Sequence, residues 1–309
     1  MIRYGLARLL HLFFVIFFVS TFTFLLLRLA PGDPAYILLT KHNVPASEEA
    51  LIALRAELGL TESLWSQYIH WLKDAILWDW GTSYVSKEPV VKELVYRLPA
   101  TLELAFAGLL VMFFVTIILG ISTAIYSNNC LDLVGRILAI VGSSVPTFWL
   151  GFLFIYFFSV QFGWFPSMGR GTLQHLVLPA ITLGLGLGMV YARILRTNML
   201  ELNNQPFVKA AKMRGISRTR IFIFHIFKHA FLPVLTMLGT SLAFMLAGSV
   251  IVETIFSWPG LGKYIIDAIN MRDYPVIQGY VVFTSCLFVT VHIIVDFIYI
   301  VLDPRLTVR

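Results

Sequence analysis

Residues 203–215 read NNQPFVKAAKMRG, a polar and basic interruption in a chain whose flanks are long apolar runs. Pro206 suits a first helical turn, because the N–H it lacks is unpaired there in any residue. Phe207, Ala210, Ala211 and Arg214 recur at i, i+3, i+4 and i+7, so they share one face. Gly215 suits the left-handed residue that follows a helix end. The spacing predicts a helix of about two to three turns over roughly 204–216. One side is nearly flat, because alanine allows close approach, and the rest is cationic. Two uses fit such a helix. Its lysines suit anionic headgroups, whereas an alanine face bordered by a single Phe suits a groove on a partner protein. Residue chemistry leaves both open.

The surroundings decide the class of molecule. Of 309 residues, 58% are hydrophobic and 13% are charged, with a mean hydropathy of +0.82; a soluble domain carries about 25% charged residues. The apolar residues cluster in runs near the roughly 20 needed to cross a bilayer. The fold class is therefore an all-α membrane protein, with six transmembrane helices expected at Leu9–Leu27, Thr101–Tyr126, Ile137–Phe162, Leu176–Tyr191, Ala230–Val252 and Val276–Leu302. The first run is too long for a signal-peptide core and lacks a small-x-small cleavage site. The net charge of +6 does not point to nucleic acid, because the basic residues gather at helix ends and in one loop. Cys130 and Cys286 form no CxxC or Cys/His grouping, which argues against a disulfide framework or structural zinc.

Orientation follows from lysine and arginine in short loops. Between the fourth and fifth runs stand Arg193, Arg196, Lys209, Lys212, Arg214, Arg218, Arg220 and Lys228, against the single acid Glu201. At about 2.5 kcal/mol each, eight such residues would cost on the order of 20 kcal/mol at the bilayer centre. The loop is therefore expected in the cytoplasm, and an even span count puts both termini there too. The segment from Arg28 to Pro99 then falls outside. Within it, SEEALIALRAELGL predicts a helix begun by Ser47 and stopped by Gly59.

A family resemblance covers nearly the whole chain. VKAAKMRGISRTRIFIFHIFKHAFLPV (208–234) resembles the cytoplasmic loop of ABC-importer permeases, whose coupling helix docks on an ATPase subunit. The matching positions are Ala210, Ala211, Gly215, Leu232 and Pro233. Lys209 stands where the general pattern has Glu, Ala230 where it has Ile, and the Gly215–Leu232 spacing is wider; all three departures resemble the peptide/nickel branch. LRLAPGDPA, LPATLELA, VPTFWLGFLF, VLPAITLGL, ARILRTNML, IVETIFSWPGLGKYIIDAI, RDYPVIQG and the terminal LDPR resemble that branch in the same order. The resemblance implies a type I ABC importer transmembrane domain in a bacterial cell membrane. It also implies a homologous second permease as heterodimer partner, two cytoplasmic ATPase subunits and an extracytoplasmic substrate-binding protein. ATP and Mg would be bound by those ATPases, with no cofactor in this chain. No G-x-x-x-x-G-K-[ST] occurs; the nearest fragment, Gly262-Lys263, is followed by Tyr264. The expected division is 1–96 for the first helix and the outer segment, 97–302 for the importer domain, and 303–309 for a cytoplasmic tail.

Other residues carry weaker signals. Gly184, Gly188 and Ala192, and likewise Gly239, Ala243 and Ala247, are spaced for close helix packing in lipid. Pro146 predicts a kink in the third span. Glu103, Glu253, His292 and Asp296 lie near membrane depth, where ionisable groups are functional candidates by default. Glu103 reads as a first-turn acid favoured by the helix dipole. Glu253 reads as an interfacial residue near water and a candidate gate, and His292 with Asp296 reads as a structural pair. Trp149, Trp164, Trp258 and Tyr264 read as an interfacial belt. No His/Cys/Asp/Glu cluster has the spacing of a preformed metal site. Within the family it resembles, many dipeptide permeases carry a longer insertion where this chain has the short outer loop from Gly163 to His175, and nickel-type relatives do not. The resemblance therefore implies nickel or a metal–metallophore chelate as cargo, with di- and oligopeptides as the alternative. The rival class, a stand-alone secondary transporter, calls for inverted repeats, and none is visible.

Overall fold

A backbone in hydrocarbon has to pair its own N–H and C=O groups, so apolar runs of this length fold as helix. The computed structural model describes the backbone of residues 2–41 and 47–302, and the side chains of 14–40 and 47–295 apart from 236, 247 and 248. The helices are α1 (Ile2–Leu29), α2 (Pro34–Lys41), α3 (Glu48–Glu57), α4 (Leu64–Ile76), α5 (Val90–Ile125), α6 (Cys130–Ser144), α7 (Thr147–Phe154), α8 (Leu173–Asn203), α9 (Pro206–Met213), α10 (Arg218–Ile221), α11 (Lys228–Ile255), α12 (Leu261–Asn270) and α13 (Tyr274–Leu302). π-helical turns extend α7 through Ile155–Gln161 and lead from α10 into α11 through Phe222–Phe227. Among the described residues, β pairing is confined to the isolated bridge Thr82–Pro89.

Among the described residues, four stretches are long and apolar enough to cross a bilayer: Val90–Ile125, Leu173–Asn203, Arg218–Leu246 and Tyr274–Val295. Two bent pairs bring the number to six if each is one span: α1 with α2, bent by 65°, and α6 with the helix Thr147–Gln161, bent by 106°. The second pair replaces the kinked third span expected over Ile137–Phe162. Val145 is extended (ψ 126°) and Pro146 begins a new helix, because the residue before a proline is pushed out of the α region. The fourth span, read as short, runs the full length of α8. The second begins at Val90 rather than Thr101, carrying Pro99 inside the helix. Glu103 is consequently not a first-turn acid. The tail 303–309 lies outside the described residues.

The chain forms two compact units. The first comprises residues up to 100 together with 259–291. Ser47 Oγ accepts from Ala50 N at 3.3 Å and Gly59 takes φ +67°, so α3 starts and stops where its sequence predicts. Phe24 is buried against Tyr68 and Trp71, with ring centroids at 5.2 and 6.2 Å. A polar knot ties the loop after Gly81 to the turn before α13. Buried Asp273 accepts from Ser83 Oγ at 2.5 Å and from the Tyr84 and Val85 amides at 3.1 and 3.3 Å.

The second unit comprises residues 101–258 and those from 292 onward. In it α8 packs on α6, α7 and α11. The small-residue seam on α8 meets α5: a Cβ on Gly184 would lie 2.2 Å from Gly108 O, and one on Gly188 would lie 2.8 Å from Val115 Cβ. The seam is therefore a contact inside this chain. Ala243 is buried, while the side chain of Ala247 lies outside the described residues.

Candidate functional site

Helix α9 begins as its sequence predicts. Gln205 is extended (φ −70°, ψ 150°), Pro206 takes the first helical position, and Val208 N donates to Gln205 O at 3.1 Å. Its end is closed by Gly215 at φ +73°, with Gly215 N donating to Lys212 O at 3.1 Å and Ile216 N to Ala211 O at 3.2 Å. Nothing lies within 4 Å of a Cβ built on Gly215, so backbone conformation alone selects glycine there.

The four residues read as one docking face are divided by the structure. Ala211 is 5% exposed and packs inward beside Val208, which is fully buried. Phe207 (42%) and Met213 (83%) are exposed, as are Lys209, Lys212, Arg214 and Gly215, with Ala210 half-buried. Ala211 is thus part of the fold of this chain, not of its free surface. Sequence reasoning missed Met213, the most exposed apolar side chain on α9, because it falls outside the i, i+3, i+4 pattern. Phe207 sits edge-on to His229, 6.2 Å between ring centroids. His229, Leu232 and Pro233 share one face of α11 by their spacing, and Leu232 is 42% exposed. The structure thus joins Phe207 to the α11 face that carries Leu232 and Pro233.

Behind this surface lies a cavity of about 610 Å³, with Asn203, Lys212 and Arg218 beside the apolar walls of Ile125, Met199 and Phe222. Lys212 Nζ donates to Asn203 Oδ1 at 3.3 Å, which fastens α9 to the end of α8. About two turns earlier on α8, Arg196 grips fully buried Asp132 at the start of α6, and Asn128 N donates to the same carboxylate at 3.1 Å. This brace escaped sequence reasoning as well. Its local signal was only an acid in the first turn of an apolar helix, and its partner is distant in the chain.

Glu253 belongs elsewhere. It stands about 20 residues, or roughly 30 Å of helix, along α11 from Pro233. It is fully buried rather than near water, and accepts from Thr101 Oγ1 at 2.8 Å. The Trp258 amide donates to Glu253 O at 2.8 Å, turning the chain so that the Trp258 ring is buried. Trp258 therefore leaves the expected interfacial belt. So does half-buried Tyr264, whose ring lies 4.1 Å from the Arg97 guanidinium. Trp149 and Trp164 are exposed, as a belt requires. Glu103 receives Arg170 Nε at 2.8 Å and Nη2 at 2.6 Å. His292 is half-buried, and the side chain of its expected partner Asp296 lies outside the described residues. Among the described residues no three His, Cys, Asp or Glu side chains group as metal ligands.

Residues 116–308 match the family described as binding-protein-dependent transport system inner membrane component, and residues 1–105 match the N-terminal family of the same components. The chain is 37% identical over 307 residues to the glutathione transport system permease protein GsiC of Salmonella choleraesuis (strain SC-B67), covering 99% of both chains. It is 35% identical over 306 residues to GsiC of Escherichia coli (strain K12), again covering 99% of each. Among solved structures, an amino acid ABC transporter with histidines matches with TM-score 0.54 and 18% identity, over 67% of this chain and 93% of that one. The MetNI methionine ABC transporter in inward-facing conformations matches with TM-score 0.56 and 16% identity, over 69% and 97%. At such identities the two structures speak for the fold alone.

Proposed function

The chain belongs to the family of binding-protein-dependent transport system inner membrane components, and from that premise we propose that it forms half of the translocation pathway of an ATP-driven importer. It is a multi-pass protein of the bacterial inner membrane and a transport subunit, not an enzyme. The reading has six spans with both termini in the cytoplasm, which the two bent helix pairs and the basic loop from Arg193 to Lys228 support. A homologous second permease, two ATPases and an external binding protein complete the assembly.

The observation that carries the mechanism is the exposed face of α9. Phe207 and Met213 stand out from a helix whose other side, Val208 and Ala211, is locked into the chain. A partner that pushes on those two side chains moves a helix it cannot peel away. The α9 surface therefore acts as the coupling contact with an ATPase, together with Ala210, Arg214 and the Leu232–Pro233 face.

The cargo in this reading is glutathione or another short peptide, supported by full-length similarity to two GsiC proteins. The short outer loop that pointed toward nickel or a metallophore is pinned by Gly169 N donating to Phe256 O at 2.8 Å and by the Arg170–Glu103 pair. Its length reflects those anchors as much as any cargo. The test has two readouts. Met213→Cys should crosslink to a co-purifying ATPase in intact membranes, and deletion of the gene should abolish glutathione or dipeptide uptake while nickel uptake persists. Absence of any ATPase partner overturns the coupling role; loss of nickel uptake alone overturns the cargo.

A further inference from the structure

Two spans end and a third begins around the cavity of about 610 Å³ behind α9. Helix α5 stops at Ile125, α8 stops at Asn203, and the stretch that continues into α11 starts at Arg218. All of the wall residues belong to the second unit. The lining has two characters. Ile125, Met199, Leu200, Phe222 and Ile226 make it mainly apolar, a surface that is unfavourable to leave in water. Ile125 is also 53% exposed, so the apolar lining continues onto the outer surface of α5. Lys212 and Arg218 add two positive charges, and no acid stands among the wall residues. Lys212 donates to a neutral acceptor, Asn203 Oδ1 at 3.3 Å, and among the described residues neither cation has a carboxylate partner.

An inorganic anion would neutralise the two charges and leave the apolar walls wet; an uncharged acyl chain would do the reverse. An occupant that answers both halves carries a negative head on an apolar body. We propose that this cavity holds one anionic phospholipid of the inner leaflet, its phosphate taken by Lys212 and Arg218 and the first part of its acyl chains by the α5 and α8 walls. Basic pockets between spans on the cytoplasmic side suit acidic headgroups, and the volume falls within the roughly 300–1,000 Å³ of ligand sites. The two cations stand on either side of Gly215, whose φ of +73° closes α9. A headgroup that engages both therefore bridges that turn and fixes α9 against the helix that follows it. The inference rests on the cytoplasmic placement of the loop from Arg193 to Lys228. Lipid binding is read without any ATPase, so its failure would leave the coupling role untouched.

The experiment is native mass spectrometry of the full chain, purified in a neutral detergent and titrated separately with phosphatidylglycerol, phosphatidylcholine and glycerophosphoglycerol. One phosphatidylglycerol should bind at least about tenfold more tightly than phosphatidylcholine, since each of the two cations is worth about fivefold toward an anionic headgroup. Glycerophosphoglycerol is the same headgroup without acyl chains, and it should bind at least about tenfold more weakly than the lipid because the apolar walls stay unfilled. Equal binding by this soluble phosphodiester would overturn the lipid assignment. Lys212→Gln and Arg218→Gln should each weaken phosphatidylglycerol by about fivefold, and Lys212→Arg should retain it. Lys209→Gln and Arg220→Gln change exposed cations of the same loop that do not line the cavity, and should leave binding unchanged. No saturable phosphatidylglycerol site, or equal losses from all four glutamine variants, overturns the proposal.

Discussion

Arg196 holds Asp132 through two hydrogen bonds, Nε to Oδ1 at 2.7 Å and Nη2 to Oδ2 at 2.8 Å, across 64 positions of sequence. Asp132 is fully buried and the Arg196 side chain is 17% exposed. Removing one partner strands a buried charge, so Asp132→Ala should destabilise the protein by about 3 kcal/mol. The pair of changes Asp132→Leu with Arg196→Met should recover most of that loss, because an apolar pair leaves no buried charge unpaired, and Arg136, which also pairs with Asp132 at 3.6 Å, is exposed enough to be solvated. Thermal denaturation of the solubilised variants reads both; equal losses would locate the cost in packing instead.

The α5–α8 seam makes a sharp contrast between neighbouring glycines. A Cβ on Gly184 would fall 2.2 Å from a backbone oxygen, whereas one on Gly186 would have its nearest neighbour at 3.8 Å. Gly184→Ala should cost about 1–3 kcal/mol by forcing the two helices apart. Gly186→Ala should be neutral or stabilising by up to about 1 kcal/mol, since alanine is the better helix former. Melting midpoints measured side by side decide it.

Glu253→Gln keeps a carbonyl oxygen where Thr101 donates while removing the charge and turning the second oxygen into an amide donor. We expect normal membrane levels, stability within about 1 kcal/mol of the parent, and reduced uptake by whole cells. Glu253→Leu removes that acceptor as well and should lose about 1–3 kcal/mol. Unchanged uptake with Glu253→Gln would leave Glu253 a packing residue.

Burial pushes the Tyr84 phenol from its ordinary value near 10 up to about 12, with Asp273 adding to the rise and Arg28 opposing it. The fold thus favours the neutral phenol. This contribution is complete below pH 10 and is lost as the pH climbs from about 10 to about 12. Stability should fall over that alkaline window by up to about 3 kcal/mol, and Tyr84→Phe should remove this part of the fall. A pH series of denaturation midpoints supplies the comparison.

Local signals were readable where one residue determines one conformation. Pro206 and Gly215 bound α9, and Ser47 and Gly59 bound α3, because capping depends on chemistry within a few positions. Prolines were less legible. Pro99 sits inside α5 although the second span is expected to begin after it, at Thr101, since a long helix carried by apolar packing tolerates one missing donor. Hydropathy distinguishes membrane from water but not lipid from protein interior. Trp258 and Glu253 therefore read as interfacial although both are buried. Ala211 read as partner-facing for a related reason: an alanine permits close approach to either side, and only the tertiary packing selects one. The Asp132–Arg196 pair depends on a contact between distant helices, which no local window contains.

The corner at Val145–Pro146 limits what can surround it. Helix α6 has 15 residues, about 22 Å at 1.5 Å per residue, short of the roughly 30 Å hydrocarbon layer. The hydroxyls of Ser143 and Ser144 both donate to Ile140 O, at 3.1 and 2.8 Å, so side chains already serve carbonyls next to the break. If α6 and the helix after it form one span, backbone interrupted there cannot face acyl tails with polar groups unmatched. Solvent, a neighbouring subunit or this chain's own α8, which packs on both α6 and α7, must then cover this elbow, and oil is the one environment it forbids.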